Sequence, residues 1–323
     1  MHKTMRDAFL DEVHRKMRQD KKIFFLCADF GAPVLDKIRR DFPQRFINVG
    51  IAEQNMINIA TGLSLEGFKV FTYAIAPFLT MRSYEQNRVN LSIHSQVSPL
   101  NVNLIGVGAG VSYEVSGPTH HCLEDISIMR LLPNFMVFSP SDWVLAAKLA
   151  DACLNLNCPK YLRFDAKPLM KIYGSEMHKA DFEKGYSELA AGRKVCLVAT
   201  GYMTHTALSA CRQLQKDGFS CGVLDVFRLK PLNEEGLGRI LKKYDNVVTM
   251  EEAFIEKGGL DSAVLRLLHK KGICAGFSSI GFKDKYDFRL GNREHLHRLN
   301  GIDTAGVVMA VKKLMQIKRG RKR

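Results

Sequence analysis

Residues 46–55 read FINVGIAEQN. A β-branched apolar stretch runs into Gly50. Glu53 then opens EQNMINIATGLSLEG, which puts Met56, Ile59, Ala60 and Leu63 on one helical face and ends at Gly67. Strand, tight turn and helix inside so few residues predict a βα unit. An acid in the first turn gains from the helix dipole, which is reason enough for a glutamate there. A capping box would need Ser or Thr three residues earlier, where Gly50 stands. Ligands of open α/β sheets bind just beyond the C-terminal ends of strands, the place Glu53 takes. Helix capping and ligand binding are both open readings of this acid.

The same alternation extends in both directions. Upstream and downstream, strands are expected at 23–30, 46–50, 69–75, 102–108, 135–140 and 160–164, with helices over 53–66, 80–94 and 141–154. Apolar strands separated by helices indicate a parallel sheet covered on both faces. A polar stretch at about 166–190 reads as a linker. The pattern then restarts, with strands at 194–201, 221–229, 246–254 and 273–282. Helices are expected over 204–217, 233–243, 259–270 and near 303–317. The expected fold is α/β in two domains, 1–170 and 190–323, each a mainly parallel sheet flanked by helices.

Composition narrows the class. With 323 residues, 46% of them hydrophobic, the chain can bury two cores and is neither disordered nor fibrous. No apolar run approaches the ~18 residues of a membrane span. The N-terminal stretch reads as a helix with Met5, Phe9, Val13 and Met17 at spacing four, and not as a signal peptide. Eight scattered cysteines, the nearest pair being Cys153 and Cys158, fit no zinc or redox pattern, so reduced thiols and a cytoplasmic location are expected. Half of the net charge of +14 lies in VKKLMQIKRGRKR, on Lys312, Lys313, Lys318, Arg319, Arg321, Lys322 and Arg323. That segment lacks the interleaved aromatics of a single-strand-binding surface, so a frayed, solvated tail is expected and nucleic acid is not an expected partner.

Three further segments fall at strand ends. CAD (27–29) ends the first strand, GVGAGVSYEVSGPTHH (106–121) follows the fourth and RFDAKP (163–168) follows the sixth. Glycines 106, 108 and 110 do not lead into a helix, so they suit a backbone that approaches a ligand closely better than a dinucleotide loop. His120 and His121 follow a Gly-Pro turn; a histidine pair in a loop is by itself more often a surface feature. Glu124 and Asp125 lie too near them to imply a metal, and no HxxxH, CxxC or carboxylate cluster has metal spacing. No metal ligand is therefore assigned to this chain.

Taken in order, GIAEQN, the F-x-x-x-R-x-Y-E-Q run of Phe78, Arg82, Tyr84, Glu85 and Gln86, then GPTHH, EDISIMRLLPN, SPSD and YLRF resemble the transketolase family. The resemblance spans its pyrimidine-binding and C-terminal domains and covers nearly the whole chain. CLVATG and TMEEAFIEKGGLDSAV carry it, more loosely, through the second domain. The family's GDG motif, followed by an asparagine, is absent. The resemblance thus implies one subunit of a split transketolase. An N-terminal partner subunit would carry GDG…N and bind most of the thiamine diphosphate and its Mg2+ or Ca2+, in an α2β2 heterotetramer with self-dimerisation.

The resemblance also implies roles. Glu53 matches the glutamate at N1′ of the cofactor's aminopyrimidine, and must hold a proton there against the helix dipole. Phe78 matches the aromatic stacked on that ring, Ile75 replaces a neighbouring family aromatic, and Asp29 matches an acid near the cofactor. His120 matches a histidine beside the reacting sugar, and Arg163 an arginine for the acceptor's phosphate. The implied activity moves a two-carbon ketol unit from a ketose, often a phosphate, to an aldose. Ser116 replaces an aspartate that reads a sugar hydroxyl, Gly108 a histidine and Pro33 a phosphate-binding serine. These three changes point to a non-standard sugar. The alternatives are the β subunit of a 2-oxo acid dehydrogenase, which GPTHH and RSYEQ disfavour, and a non-catalytic regulatory subunit.

Overall fold

The computed structural model describes residues 3–174 and 179–320. Its strands are β1 (Ile23–Cys27), β2 (Phe46–Asn48), β3 (Lys69–Ile75), β4 (Val102–Val107), β5 (Met136–Phe138) and β6 (Lys160–Phe164), followed by β7 (Tyr186–Ala190), β8 (Val195–Ala199), β9 (Cys221–Val226), β10 (Arg228–Lys230), β11 (Asn246–Phe254) and β12 (Gly276–Phe282). They form a seven-stranded sheet in the order β10-β5-β6-β4-β3-β1-β2 and a five-stranded sheet in the order β12-β11-β8-β9-β7. The first sheet is parallel apart from β10 and the second apart from β7. Fully buried runs such as VNLIGV and KYLRF fill the centre of the first sheet, because helices cover both of its faces.

On one face the helix Met5–Gln19 brings Phe9, Leu10, Val13 and Met17 against Phe25, Phe71 and Phe164, beside Leu149 of the helix Trp143–Asn155. On the other, Met56, Ile57 and Ala60 of the helix Glu53–Leu65 pack on Val70, Leu104 and Ile126. That helix turns slightly from the expected stripe, leaving Ile59 and Leu63 only half-buried.

Four departures from the sequence reading matter. The stretch 221–229 is not one strand: it breaks at the buried Phe227, and β10 crosses to pair with β5 of the first sheet. The linker is shorter than 166–190, because β7 adds an antiparallel edge to the second sheet. A helix not foreseen, Arg293–Asn300, starts at Asn292, whose side chain accepts from His295 N, and ends at the left-handed Gly301. The tail also differs, since the last helix, Thr304–Gly320, runs well into the basic segment and Lys312 pairs with Asp217 at 2.7 Å. Arg321, Lys322 and Arg323 lie outside the described residues.

Buried charges join the two halves. Arg163 donates to Asp125 at 2.7 Å and to the Glu252 carbonyl at 2.9 Å. Arg293 reaches Asp165 at 2.6 Å and Glu252 at 3.1 Å, and His297 Nε2 lies 2.5 Å from Glu252. The Arg293 guanidinium also rests over the Tyr202 ring, 4.0 Å from its centroid.

Candidate active site at the C-terminal edge of the first sheet

Parallel strands all point one way, so their following loops gather along one edge. β1 leads to Asp29, β2 to Gly50 and Glu53, β3 ends at Ile75 just before Phe78, and β4 runs into Gly108. Gly50 adopts φ +72, which lets the chain reverse between strand and helix without a Cβ penalty. Asn48 Oδ1 ties the corner, accepting from Gly50 N and from Asp29 N, both at 3.1 Å. Asp29 itself sits at φ +44, a conformation aspartate tolerates better than most residues, and is exposed.

Glu53 is the first residue of its helix and is only 2% exposed. Its Oε2 accepts a hydrogen bond from Arg82 Nη1 at 2.8 Å. Arg82 in turn lies over the Phe78 ring, 4.6 Å from the centroid, and that ring meets His120 edge-on at 5.4 Å. Glu53, Arg82, Phe78 and His120 therefore form one continuous array. Thr119 Oγ1 stands 3.0 Å from His120 Nδ1. His121 is buried instead, with Nε2 3.5 Å from the Glu114 carbonyl, and burial holds its imidazole below the ordinary value. Only His120 of the pair faces the array.

Arg82 carried no role in the sequence reading, although it stands in the F-x-x-x-R motif. Its position depends on winding. The expected helix over 80–94 is instead wound as π-helix at Phe78–Arg82 and Asn87–Ile93. Polar side chains take up the carbonyls that the wider turns release. Thr80 and Ser83 hydroxyls donate to Ala76 O at 2.7 Å and Leu79 O at 2.6 Å, and Asn87 donates to Leu79 O at 3.0 Å.

Two other stretches singled out in the sequence also take defined places. Arg163 is buried, with Nε donating to Asp125 and Nη2 to the carbonyls of Cys122 and Glu252. Glycines 106, 108 and 110 do approach other groups closely, but those groups belong to the protein. A Cβ at Gly106 would meet Tyr161 at 2.8 Å, one at Gly108 would meet the Tyr113 ring at 2.3 Å, and one at Gly110 would meet Glu252 at 1.9 Å. Ile75 is half-buried at the end of β3, and Ser116 is exposed at the end of the Glu114–Ser116 turn.

Comparison with known proteins gives the family. Residues 2–170 match the transketolase pyrimidine binding domain, and residues 185–307 the transketolase C-terminal domain. The chain is 32% identical over 270 residues to one subunit of the apulose-4-phosphate transketolase of Actinobacillus succinogenes, covering 83% of this chain and 84% of that protein. It is 32% identical over 297 residues to 6-deoxy-6-sulfo-D-fructose transketolase subunit SqwH of Clostridium sp. strain MSTE9, covering 89% and 90%. Among solved structures, a split gene transketolase in an inactive β4 tetramer superposes with a TM-score of 0.84 at 30% identity, covering 97% of this chain and 98% of that one. The chain therefore belongs to the transketolase family, of which it carries the pyrimidine-binding and C-terminal domains.

Proposed function

We propose that this chain is one subunit of a thiamine diphosphate-dependent, transketolase-like transferase that moves a ketol unit between sugars and works only with a partner subunit. The observation that carries the reading is the array of Glu53, Arg82, Phe78 and His120 at the sheet's C-terminal edge. The donor set fits an aminopyrimidine, with a buried carboxyl for a ring nitrogen beside a half-buried aromatic face. Bound thiamine diphosphate supplies the carbanion chemistry by which a ketose C2–C3 bond is exchanged for a new bond to an aldehyde. Glu53 would hold a proton at N1′ of the aminopyrimidine, while its Oε2 accepts from Arg82. Phe78 would pack on that ring, with Ile75 and Asp29 at its margin. His120 and Ser116 would face the sugar.

Partner dependence is supported by apolar side chains left open around the site. Ile51, two residues before Glu53, is 77% exposed, and Met81, beside Arg82, is also exposed. In this reading the partner brings GDG…N, the diphosphate site and the Mg2+ or Ca2+, and two copies of each chain form an α2β2 heterotetramer. We place the enzyme in the cytoplasm and the division between its domains within residues 170–190. Relatives named for apulose 4-phosphate and sulfofructose support a sugar other than the common pentose phosphates.

Co-expression with the GDG-bearing chain, followed by a sugar-phosphate screen, tests this. Ketol transfer is expected, fastest with a non-standard sugar. Equal rates with xylulose 5-phosphate and ribose 5-phosphate would refute the sugar assignment, and decarboxylation of pyruvate would refute the transferase reading.

A further inference from the structure

Residues 283–292, KDKYDFRLGN, join β12 to the helix Arg293–Asn300 and belong to the second domain, yet they reach residues 114–124 of the first domain, the stretch that holds GPTHH. They meet it at three places. Tyr286 Oη donates to Glu124 Oε1 at 2.9 Å, with its ring edge-on to Phe254 at 5.6 Å. Leu290 Cδ2 lies 3.9 Å from where a Cβ on Gly117 would stand. Arg293 N, at the segment's end, donates to Glu114 Oε2 at 2.6 Å. Asp287 braces the segment internally, accepting from Arg289 Nε at 2.7 Å and from Asn300 at 2.8 Å.

These three contacts bracket Ser116 and His120, the residues set toward the sugar, on both sides in sequence. The same segment leaves Tyr286, Phe288 and Leu290 exposed by 54, 79 and 66% within five residues, which is unusual beside so many fixed contacts. We propose that residues 283–292 are the outer wall of the sugar channel, and that Tyr286 and Leu290 are positioning residues that set substrate fit by holding the stretch 114–124. The C-terminal domain then takes part in substrate selection. Because the wall touches the sugar loop and not Glu53 or Phe78, it acts on sugar binding and leaves cofactor binding alone. This rests on the ketol-transfer reading above.

Tyr286→Phe removes the bond to Glu124 and keeps the ring on Phe254, while Leu290→Ala opens the contact at Gly117. Each variant is assembled with the partner chain and assayed for both sugars. The expected result is a rise of about three- to tenfold in sugar KM, the scale of one lost hydrogen bond or small apolar contact, with kcat within about twofold. Thiamine diphosphate affinity is expected to stay constant, and amide exchange over residues 115–121 to quicken. Unchanged KM in both variants of a pair that transfers ketol units would overturn the wall alone. Absence of ketol transfer by the unmutated pair would overturn both this proposal and the function on which it rests.

Discussion

A glutamate in the first turn of a helix needs no further reason to be there, but Glu53 is nearly fully buried and held by Arg82. Burying a carboxylate is costly unless it is paired, so the two side chains stand or fall together. Arg82→Met should lower stability by about 1–2 kcal/mol, a modest figure because the guanidinium is partly exposed. Adding Glu53→Gln to that variant should recover part of the loss, as a double-mutant cycle in urea would show. Additive losses would mean that the pair does not interact. Glu53, Phe78 and His120 were legible from their motifs. The bond between Glu53 and Arg82 was not, because 29 residues of chain and two π-helical segments decide whether they meet. Arg163 likewise stands out by its place in YLRF, and only the fold reveals that Asp125 and two carbonyls hold it.

Among the elements, the alternation of strands and helices was legible nearly throughout, because period and apolar content report burial directly. What escaped depended on neighbours. CGVLDVFRL carries no turn signal, and only Val137 and Phe138 alongside draw its last residues into the other sheet. The helix Arg293–Asn300 has a good cap but a mostly polar sequence, so its buried side is set by charge pairing and not by an apolar stripe. Element junctions also bear on pH. Glu251 on β11 accepts from Leu260 N and Asp261 N at the start of the helix Leu260–Lys270, both at 2.9 Å. Burial, reinforced by the nearby Asp261 carboxylate, pushes Glu251 up to about 7. Between its ordinary 4.5 and about 7, the folded protein binds a proton that the unfolded chain has released. The stability that Glu251 contributes therefore falls as pH rises through that window. Glu251→Gln should make the fall shallower in urea midpoints taken from pH 5 to 7, leaving the share of Asp225, which burial raises to about 6. An unchanged slope would exclude Glu251 as its source.

At the scale of the whole molecule, two sheets are joined by ion pairs that water does not reach. Arg293 serves Asp165 from the first domain and Glu252 from the second, and both guanidinium and carboxylates are almost completely buried. Arg293→Met should cost about 3–5 kcal/mol in chemical denaturation, since it strands two buried acids. A loss below about 1 kcal/mol would show that the domains are held together by other contacts. The two-domain plan was legible in the sequence, but this joint was not, because Asp165, Glu252 and Arg293 lie far apart and neither RFDAKP nor TMEEAF says which partner its acid takes. The absence of GDG, by contrast, is read directly from the sequence, and it is a ground of the proposal that a second chain completes the enzyme. The most direct test is ketol transfer by the purified pair of chains, with wild-type and Glu53→Gln subunits compared after equal assembly has been verified. We predict no transfer by either chain alone, transfer by the wild-type pair, and a loss of roughly 10²–10⁴-fold on removing the carboxyl proton of Glu53. Undiminished transfer by the Glu53→Gln pair would contradict the account.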